Sequence, residues 1–334
     1  MSQLIKQPAG AAKRVLITGA TGFIGGHLAD LLIAEGARVR LLVRDPRRWL
    51  GADAELVKGD LDDREALRAA VRGVDHVYHV AGLTKARHVS EYLAVNHGGT
   101  VNVLEACRQE NGSLERFLLV SSQAAAGPAS NGVPVREDDH PQPSSVYGLS
   151  KLRSEQAAIG YRALFPVTIV RPPVVYGPRD RDTLMVFKAA RWGISPRLGK
   201  NLQLSIVHVE DLVRGIRHAC VDPRAENQTY FMANLDPVTI PAVTDPISRE
   251  LGVRSFPLPL PAAPLVLLAT LAELGSRLVG RSTPLTRDKV RDALQQRWLC
   301  DSSRADRELG WRAEIPLETG VRETARWYRA AGWL

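Results

Sequence analysis

The sequence predicts an α/β fold in which a doubly wound parallel sheet is followed by a smaller C-terminal lobe. Two observations predict this fold. Short β-branched runs alternate with longer amphipathic patterns through the first half of the chain, and a glycine-rich turn follows the first of these runs. Alternating strands and helices form a parallel sheet covered by helices on both faces. The 334 residues, 45% of them apolar, are enough for one large core.

The elements of the first half follow each other at regular intervals. The predicted strands are Arg14–Gly19, Arg38–Arg44, Ala54–Asp60, Asp75–Gly82, Arg116–Ser122 and Val167–Pro172. The predicted helices are Gly22–Gly36, Asp63–Gly73, Leu93–Gln109 and Val146–Ala163. Helices of this length between strands connect parallel neighbours, and such crossovers are right-handed.

A change in composition near residue 178 predicts where the second lobe begins. From there the pattern becomes irregular and richer in Pro and Arg. We therefore expect a main α/β domain at 12–178 and a second lobe, mainly substrate-binding, at 179–334. The stretch 205–220 looks like a strand and a helix that return to the main sheet.

The bulk properties argue against several classes of protein. The net charge is +8, but the arginines are spread along the chain, so we expect no nucleic-acid partner. The cysteines Cys107, Cys220 and Cys300 are far apart and lack CxxC spacing. That pattern predicts reduced thiols in the cytoplasm and no metal site.

The start of the chain and one apolar segment are the places where a signal peptide or a membrane segment could be predicted. The polar start reads as a flexible leader, and no run of 18 apolar residues predicts an integral membrane segment. The nearest approach is Phe256–Gly280. We interpret it as a buried helix, with a substrate-facing or membrane-surface helix as the alternatives.

The glycine-rich turn "TGATGFIG" predicts a dinucleotide site. Gly19, Gly22 and Gly25 follow a strand and open a helix. Such glycines permit the tight turn, the close approach of a pyrophosphate, and the packing of helix on strand. The helix N-terminus offers unpaired N–H groups to the phosphates.

Arg44 ends the second predicted strand, where an NAD site places an acidic residue on the ribose. A guanidinium there can bind a 2′-phosphate through bidentate hydrogen bonds, and Arg47 or Arg48 could share it. NADP(H) is therefore predicted in preference to NAD(H). In the alternative interpretation Arg44 is an exposed strand end and Asp45 takes the ribose.

Further residues that we expect to contact the cofactor lie at the ends of the third and fourth predicted strands. Asp60 ends the third strand, where it can meet an adenine amine, and the small residues of "VAG" (Val80–Gly82) end the fourth. Asn96 is either a structural residue or a polar group facing the cofactor.

Tyr147 and Lys151 in "YGLSK" share one face of a predicted helix. A lysine and a cationic nicotinamide near the phenol favour the phenolate and lower its pKa. In "VSSQAAAG", one of Ser121 and Ser122 is expected to hydrogen-bond a substrate carbonyl and the other the backbone. His208 is interpreted as a supporting residue beneath the site.

The motif order resembles that of the extended short-chain dehydrogenase/reductases, which include the NAD-dependent epimerase/dehydratase group. The motifs are "TGATGFIG", "GDL", "VAG", "VSS", "YGLSK", "RPPVVYGP" and "VHVEDL", and they span nearly the whole chain. The resemblance implies a Rossmann domain, a Ser122–Tyr147–Lys151 triad and a homodimer. The cofactor-binding residues are then Gly19, Gly22, Phe23, Ile24, Gly25, Arg44, Asp60, Leu61, Val80, Ala81, Gly82, Tyr147, Lys151, Pro172 and Val174.

Departures from the family pattern indicate the substrate. Gln123-Ala124 replace the Asp-Glu of sugar-nucleotide dehydratases, and Leu204-Ser205 replace an Arg-Asp that grips a diphosphate in many members. "VRLLVRDP" is similar to NADPH-using dihydroflavonol reductases, and "SSQAAAGP" to 3β-hydroxysteroid dehydrogenases.

These features predict hydride transfer between NADP(H) and a hydrophobic ketone or secondary alcohol that is steroid- or polyketide-like. The first alternative is a nucleotide-sugar epimerase that retains NAD. The second is a non-catalytic NADP sensor.

Overall fold

The computed structural model describes residues 12–86, 88–129, 132–198, 202–260, 270–272, 275 and 297–334. Its strands are β1 Arg14–Thr18, β2 Arg38–Val43, β3 Glu55–Lys58, β4 His76–His79, β5 Arg116–Val120, β6 Val167–Arg171, β7 Val174–Tyr176, β8 Ile194–Leu198, β9 Gln203–Leu204, β10 Ile206–His208, β11 Thr229–Phe231, β12 Val238–Thr239, β13 Phe256–Leu260 and β14 Arg297–Trp298. Its helices are α1 Phe23–Ala34, α2 Arg64–Val71, α3 Val89–Tyr92, α4 Gly99–Glu110, α5 Gln123–Ala126, α6 Val146–Gly160, α7 Leu184–Arg191, α8 Val209–Val221, α9 Ile240–Glu250, α10 Ser303–Leu309 and α11 Leu317–Ala330. A π-helical turn at Leu93–Gly98 joins α3 to α4, and short 3₁₀ turns lie at Pro46–Arg48 and Pro223–Ala225.

The main sheet has seven strands in the order β11-β6-β5-β4-β1-β2-β3. Every pairing between these neighbours is parallel. Side chains alternate across the sheet, so Val15 and Ile17 join one hydrophobic cluster while Leu16 joins the other. The predicted doubly wound α/β fold is confirmed.

Helices cover both faces of the sheet. Leu28 of α1 and Leu212 of α8 lie in the cluster that contains Ile17. Leu67 of α2 and Leu104 of α4 lie with α6 in the cluster on the other face. The central strands β4, β5 and β6 are therefore buried on both sides, as their nearly continuous apolar runs predict, whereas the edge strand β3 is mostly exposed.

The stretch 205–220 departs from its predicted place. Its strand, β10, pairs with β7 in a separate two-stranded sheet, so this part of the prediction is wrong. The prolines Pro172 and Pro173 follow β6 and cannot donate to the sheet, and the chain leaves the main sheet there. Helix α8 does pack on the main sheet, and β11 supplies the edge strand next to β6.

The segment 179–334, called the second lobe below, contains most of a further hydrophobic cluster, to which α7, α9 and α11 contribute. The boundary near residue 178 and a substrate-binding role for this segment stay predictions. The rings of Phe187 and Tyr328 meet in this cluster with centroids 4.9 Å apart. Two small sheets complete the described part of the lobe, β12-β9-β14 and β13-β8. The three cysteines are buried thiols.

The apolar segment Phe256–Gly280 begins differently from its prediction. Its first five residues form strand β13, and Phe256 is 61% exposed, so a buried helix is wrong for this part. Residues 261–269, 273–274 and 276–280 lie outside the described residues. Within the described ranges, none of the helices has both the length and the apolar character needed to cross a membrane.

Candidate active site

The glycine turn between β1 and α1 leaves no room for side chains. Gly19 has φ +81°, and a Cβ there would lie 2.7 Å from the backbone nitrogen of Ala81. A Cβ on Gly25 would lie 2.3 Å from the carbonyl oxygen of Gly19. Contacts this short do not occur for real Cβ atoms, so both positions require glycine and the helix can sit directly against the strand.

The N-terminus of α1 is open toward a ligand. Gly22 is the N-cap residue, no described side chain caps the helix, and its first turn holds no acidic residue. The first free N–H groups belong to Phe23 and Ile24, and they carry the partial positive charge of the helix end. This donor set fits the pyrophosphate of a dinucleotide.

Arg44 lies directly after β2 and is exposed. Within the described residues its side chain forms no ion pair. The neighbouring Asp45 is engaged differently, because its carboxylate accepts from Arg47 Nε at 3.0 Å and Nη2 at 3.2 Å. These hydrogen bonds hold the pKa of Asp45 below its usual value. The free guanidinium at the end of β2 is therefore suited to an anion.

Asp60 and Leu61 shape the turn after β3. Asp60 Oδ1 accepts from the backbone nitrogens of Asp62 at 2.9 Å and Asp63 at 3.1 Å. Leu61 packs against the backbone of Gly99, where a Cβ would lie 2.5 Å from Leu61 Cδ1. The Asp60 carboxylate thus organises the turn that leads into α2.

Val80 and Ala81 continue from β4 beside the glycine turn. Val80 N donates to Thr18 O at 3.2 Å, and Ala81 N donates to Thr18 Oγ1 at 3.3 Å. The backbone of Val80 and Ala81, which we expect to line the cofactor site, is therefore held against the end of β1.

Asn96 is a buried structural residue, one of the two interpretations that the sequence left open. Its Oδ1 accepts from Leu83 N at 2.6 Å, and its Nδ2 donates to Leu83 O at 3.1 Å and Ser150 Oγ at 2.9 Å. A Cβ on Gly82 would lie 3.1 Å from Asn96 Oδ1 and 3.7 Å from Lys151 Nζ. Asn96 therefore ties the loop after β4 to helix α6, next to Lys151.

Ser122 and Tyr147 meet at the carboxyl end of the sheet. Ser122 follows β5 and is the N-cap of α5, where its Oγ accepts from Ala124 N at 3.2 Å. The Ser122 hydroxyl also forms a side-chain hydrogen bond with Tyr147, near the start of α6. The Tyr92 ring packs edge-on against the Tyr147 ring with centroids 5.9 Å apart. Two hydroxyl groups thus lie together at a strand end.

Lys151 lies one helical turn after Tyr147 and is buried. Its Nζ donates to Val120 O at 2.7 Å. Burial lowers the pKa of Lys151 to about 8, against an opposing effect of Glu155. Glu155 is held by Arg171 Nε at 2.9 Å and by Ser121 Oγ at 2.5 Å. Ser121 is thus a structural residue that bonds a carboxylate and not the expected backbone.

The pKa of Tyr147 has the opposite direction from the sequence argument. Burial raises it, while the hydrogen bond to Ser122 acts to lower it. The lowering that we expected depends in part on the charge of a nicotinamide ring. In the chain alone, the cost of burying a phenolate is larger, so Tyr147 is a protonated phenol.

Pro172 and Val174 border the same region from β6. Pro172 is buried, and its carbonyl oxygen accepts from Gln123 N at 2.8 Å. Val174 is 41% exposed at the start of β7. Pro172 therefore contacts the loop that carries Ser122, whereas Val174 pairs with Ile206 of β10.

The sequence argument missed an ion pair between Lys85 and Asp182. Lys85 lies in the loop after β4, and Asp182 lies just before α7. The Asp182 carboxylate is close enough to Tyr147 to raise the pKa of the phenol. No local motif could have shown this pairing, because Lys85 and Asp182 lie far apart in the sequence. The region beside Tyr147, between the loop that carries Lys85 and the segment that carries Asp182, is called the cleft below.

His208 is buried, and its interpretation as a residue that supports the site stays a prediction. Its Nδ1 accepts from Glu210 N at 3.4 Å, and its ring packs against Tyr176 with centroids 5.2 Å apart. Burial lowers the pKa of His208 to about 4, so the ring is neutral at physiological pH.

The fold and this site define an NAD(P)-dependent enzyme of the extended short-chain dehydrogenase/reductase type. Residues 15–233 match the model of the NAD dependent epimerase/dehydratase family. The chain belongs to this family, as the motif order indicates. It is accordingly an oxidoreductase or epimerase that uses NAD(P).

Individual relatives include both reductases and epimerases. The chain is 34% identical to the ceramide reductase of Caulobacter vibrioides over 96% of both proteins. It is 27% identical to the UDP-glucose 4-epimerase of Vibrio cholerae over 94% of this chain and 95% of the relative. The crystal structure of gox2253 superposes with a TM-score of 0.79 at 28% identity, covering 96% of this chain and 99% of that one.

Proposed function

We propose that this protein is an NADP(H)-dependent reductase of a hydrophobic, long-chain ketone and, in the reverse direction, a dehydrogenase of the corresponding secondary alcohol. The observation that carries the proposal is the pair of hydroxyls of Ser122 and Tyr147 at the end of β5, with Lys151 buried one helical turn away. The homodimer and the cytoplasmic location expected from the sequence stay predictions.

The free guanidinium of Arg44 supports NADP(H) as the preferred cofactor. It stands at the end of β2, beyond the open N-terminus of α1. The only acidic side chain of the "VRDP" stretch is Asp45, which Arg47 already engages. A cationic group at this position favours the additional phosphate of NADP(H) over a bare ribose.

Two observations support the substrate class. One is the similarity to a ceramide reductase, and the other is the lack of a cationic side chain at Leu204 and Ser205. A relative that aligns over nearly its whole length is a ceramide reductase, so we propose a long-chain lipid ketone, with ketone analogues of ceramide as the first candidates. Leu204 and Ser205 offer no cation to a diphosphate. Ser205 is buried, and its hydroxyl accepts from Cys300 N at 3.0 Å.

The roles of the site residues follow from their positions. The hydroxyls of Ser122 and Tyr147 would both donate to the carbonyl oxygen of the ketone. When bound, the nicotinamide supplies the hydride for the carbonyl carbon. Tyr147, a protonated phenol in the chain alone, then donates its proton to that oxygen as negative charge develops on it.

Lys151 would stabilise the Tyr147 phenolate that remains after this proton transfer. Its ammonium is fixed by Val120 O, and Glu155 supports its positive charge inside the protein. A fixed, buried cation stabilises a nearby anion more strongly than one in water does. The same ammonium is close to Gly82, on the wall of the groove that would hold the nicotinamide ribose.

A nucleotide-sugar epimerase with retained NAD is the second candidate, because of the similarity to the Vibrio cholerae enzyme. The two functions differ in what happens to the cofactor. A reductase exchanges NADPH and NADP⁺ at every turnover, whereas an epimerase keeps its NAD. The third candidate, an NADP sensor, has no use for Tyr147.

The Tyr147→Phe variant tests the catalytic proposal. We expect the rate of NADPH oxidation with a long-chain ketone to fall about 100- to 10,000-fold, because the proton donor is lost. The matched control is Tyr92→Phe, which keeps the ring beside Tyr147 and should change the rate little. Unchanged turnover in Tyr147→Phe would refute the role of this residue.

A cofactor assay separates the two enzymes. The purified protein is denatured and its released nucleotide is identified, and steady-state turnover is measured with added NADPH and a long-chain ketone. We expect turnover that depends on added NADPH. Stoichiometric bound NAD with no ketone reduction would favour the epimerase.

A further inference from the structure

The second lobe carries an exposed apolar surface that the proposed catalytic site does not use. Strands β8 and β13 run parallel, with Phe256 opposite Ile194 and Leu258 opposite Pro196. Side chains opposite each other in a ladder share one face of the sheet. Phe256 is 61% exposed, Leu258 45% and Ile194 37%. This face, with the residues of α7 described next, is called the apolar face below.

On the opposite face, β8 is packed at Ser195. Ser195, which alternates with Ile194 and Pro196, is buried and hydrogen-bonds Thr244 of α9 with an Oγ–Oγ1 distance of 2.7 Å. Strand β8 therefore contacts α9 at Ser195, while Ile194 on its other face is exposed. Three residues on the Ser195 side of the ladder are exposed as well, namely Arg197, Pro257 and Pro259.

Helix α7 extends the apolar face. Phe187 and Ala190 point into the core of the lobe, whereas Met185 is 66% exposed and Trp192, just after the helix, is 80% exposed. Met185, Lys188 and Trp192 follow a spacing of three and four residues, which places them along one side of the helix. Trp192 is followed by Gly193, where a Cβ would lie 3.6 Å from Phe256 Cδ2, so the exposed residues at the end of α7 adjoin those of β8 and β13.

This surface is also cationic. The sequence contains no Asp or Glu from Thr183 to Gln203 or from Leu251 to Ala272. Lys188, Arg191 and Arg254 are exposed, and within the described residues none of them forms an ion pair. By contrast, Arg249 on the neighbouring helix α9 pairs with Glu318 at 3.2 Å.

The apolar face begins beside the cleft. Helix α7 starts two residues after Asp182, whose partner Lys85 lies in the loop after β4 near the proposed catalytic groups. Trp192 lies one residue beyond the helix end, so the face reaches about 12 Å away from this point at 1.5 Å per residue. One end of the face therefore lies close in the chain to Asp182, which acts on Tyr147.

We propose that the apolar face docks on the surface of an anionic phospholipid bilayer. Apolar and aromatic side chains surrounded by unpaired Lys and Arg match the two parts of such a surface, its acyl boundary and its charged headgroups. The inference rests on the proposed function in one respect only: a long-chain lipid ketone resides in a bilayer, and docking here brings the cleft to it.

Charge argues against the other occupants. In a two-fold dimer through this face, each copy would place its cations against the cations of the other. The apolar segment of this chain that follows β13 has no charged residue before Glu273, so it would leave the cations unneutralised. An anionic lipid surface neutralises them and covers the apolar side chains at once.

Vesicle sedimentation with the full chain tests the proposal. Vesicles of phosphatidylcholine alone are compared with vesicles containing about one third phosphatidylglycerol. We expect clearly tighter binding to the anionic vesicles, and an affinity about 10- to 100-fold lower for the charge-reversed variant Lys188→Glu/Arg191→Glu. Trp192→Ser should weaken binding as well, because it removes the largest exposed apolar side chain of the face.

Matched controls are available elsewhere on the surface. Arg38→Glu reverses an exposed charge at the start of β2, and Leu50→Ser removes a side chain that is 92% exposed. Neither should change vesicle binding, and the melting temperature of each variant verifies that it is folded.

Several outcomes would overturn the docking proposal. These are absence of binding, equal binding to both kinds of vesicle, or wild-type binding by the variants of the apolar face. A dimer in solution that Trp192→Ser dissociates would also overturn it, in favour of a second copy as the occupant. Turnover of a short, water-soluble ketone with NADPH is measured in parallel. If the wild-type protein does not bind vesicles but reduces the soluble ketone, docking alone is contradicted; if it binds vesicles but reduces no ketone, the proposed function alone is contradicted.

Discussion

At the scale of single residues, neighbouring charges at the end of β2 have different environments. Arg44 is free, whereas Asp45 caps the short turn at Pro46–Arg48 and is bound by the side chain of Arg47. The sequence shows both charges but not which of them is engaged. Because the carboxylate is already paired within its own loop, the guanidinium is the group left for a ligand.

The Arg44→Asp variant tests this assignment. We expect the KM for NADPH to rise about 10- to 100-fold while NADH is affected little, because a charge-assisted contact to the phosphate is lost. Arg38→Asp, at the opposite end of β2, is the matched control and should leave both values unchanged. A wild-type protein that prefers NADH would contradict the role of Arg44.

At the scale of elements, the glycine turn determines how closely α1 approaches β1. Gly25 faces the carbonyl oxygen of Gly19, and Gly19 faces the backbone of Ala81 after β4. Three elements therefore meet without intervening side chains. This contact places the uncapped N-terminus of α1 at the carboxyl edge of the sheet, where dinucleotides bind in folds of this class.

Gly25→Ala should disturb both stability and cofactor binding. The added methyl group would lie 2.3 Å from Gly19 O, so α1 must shift. We expect the free energy of unfolding to fall by about 1–3 kcal/mol and the affinity for NADPH to fall with it. Chemical denaturation and nucleotide titration measure the two effects.

Gly160→Ala is the control for that variant. No atom lies within 4 Å of a Cβ at Gly160, at the end of α6, so neither property should decrease. Equal effects of the two substitutions would show that contact with the turn is not the cause.

At the scale of the whole molecule, the cleft lies between the loop after β4 and the segment that leads into α7. Lys85 and Asp182 form an ion pair across it, and Asp182 acts on Tyr147. The proton-donating group is thus subject to a charge from the second lobe. The pKa of Tyr147 therefore depends on the position of Asp182 and on its ion pair with Lys85.

Substitutions of this pair should move the pH profile of alcohol oxidation in opposite directions. Oxidation requires deprotonated Tyr147, and the anion of Asp182 raises the pKa of the phenol. Asp182→Asn should therefore shift the acidic limb of kcat/KM to lower pH. Lys85→Met leaves the anion unneutralised and should shift the limb to higher pH.

The control for this pair is Asp138→Asn, which removes a carboxylate that is 92% exposed and is paired with Arg304. It should leave the profile unchanged. Shifts of both cleft variants in the same direction would contradict the electrostatic explanation.

Parts of the candidate site that belong to one continuous stretch could be predicted from sequence. The glycine turn, the Tyr147–Lys151 spacing and the strand ends at Arg44 and Gly82 are local patterns whose geometry follows from one strand or one helix. The Glu155–Arg171–Ser121 cluster under Lys151 could not be predicted in this way. It joins α6, β6 and the end of β5, and its members meet only because the sheet is assembled.

The sequence by itself determined the parallel α/β architecture, the helix start that faces a dinucleotide and the tyrosine–lysine face of α6. Periodicity, glycine spacing and helix geometry act over short stretches of chain, so they can be read directly. Only the tertiary structure decided that β10 pairs with β7, that burial raises the pKa of Tyr147 in the chain alone, and that exposed apolar and cationic residues follow Asp182. Pairing, burial and exposure depend on which distant residues become neighbours, and packing alone sets them.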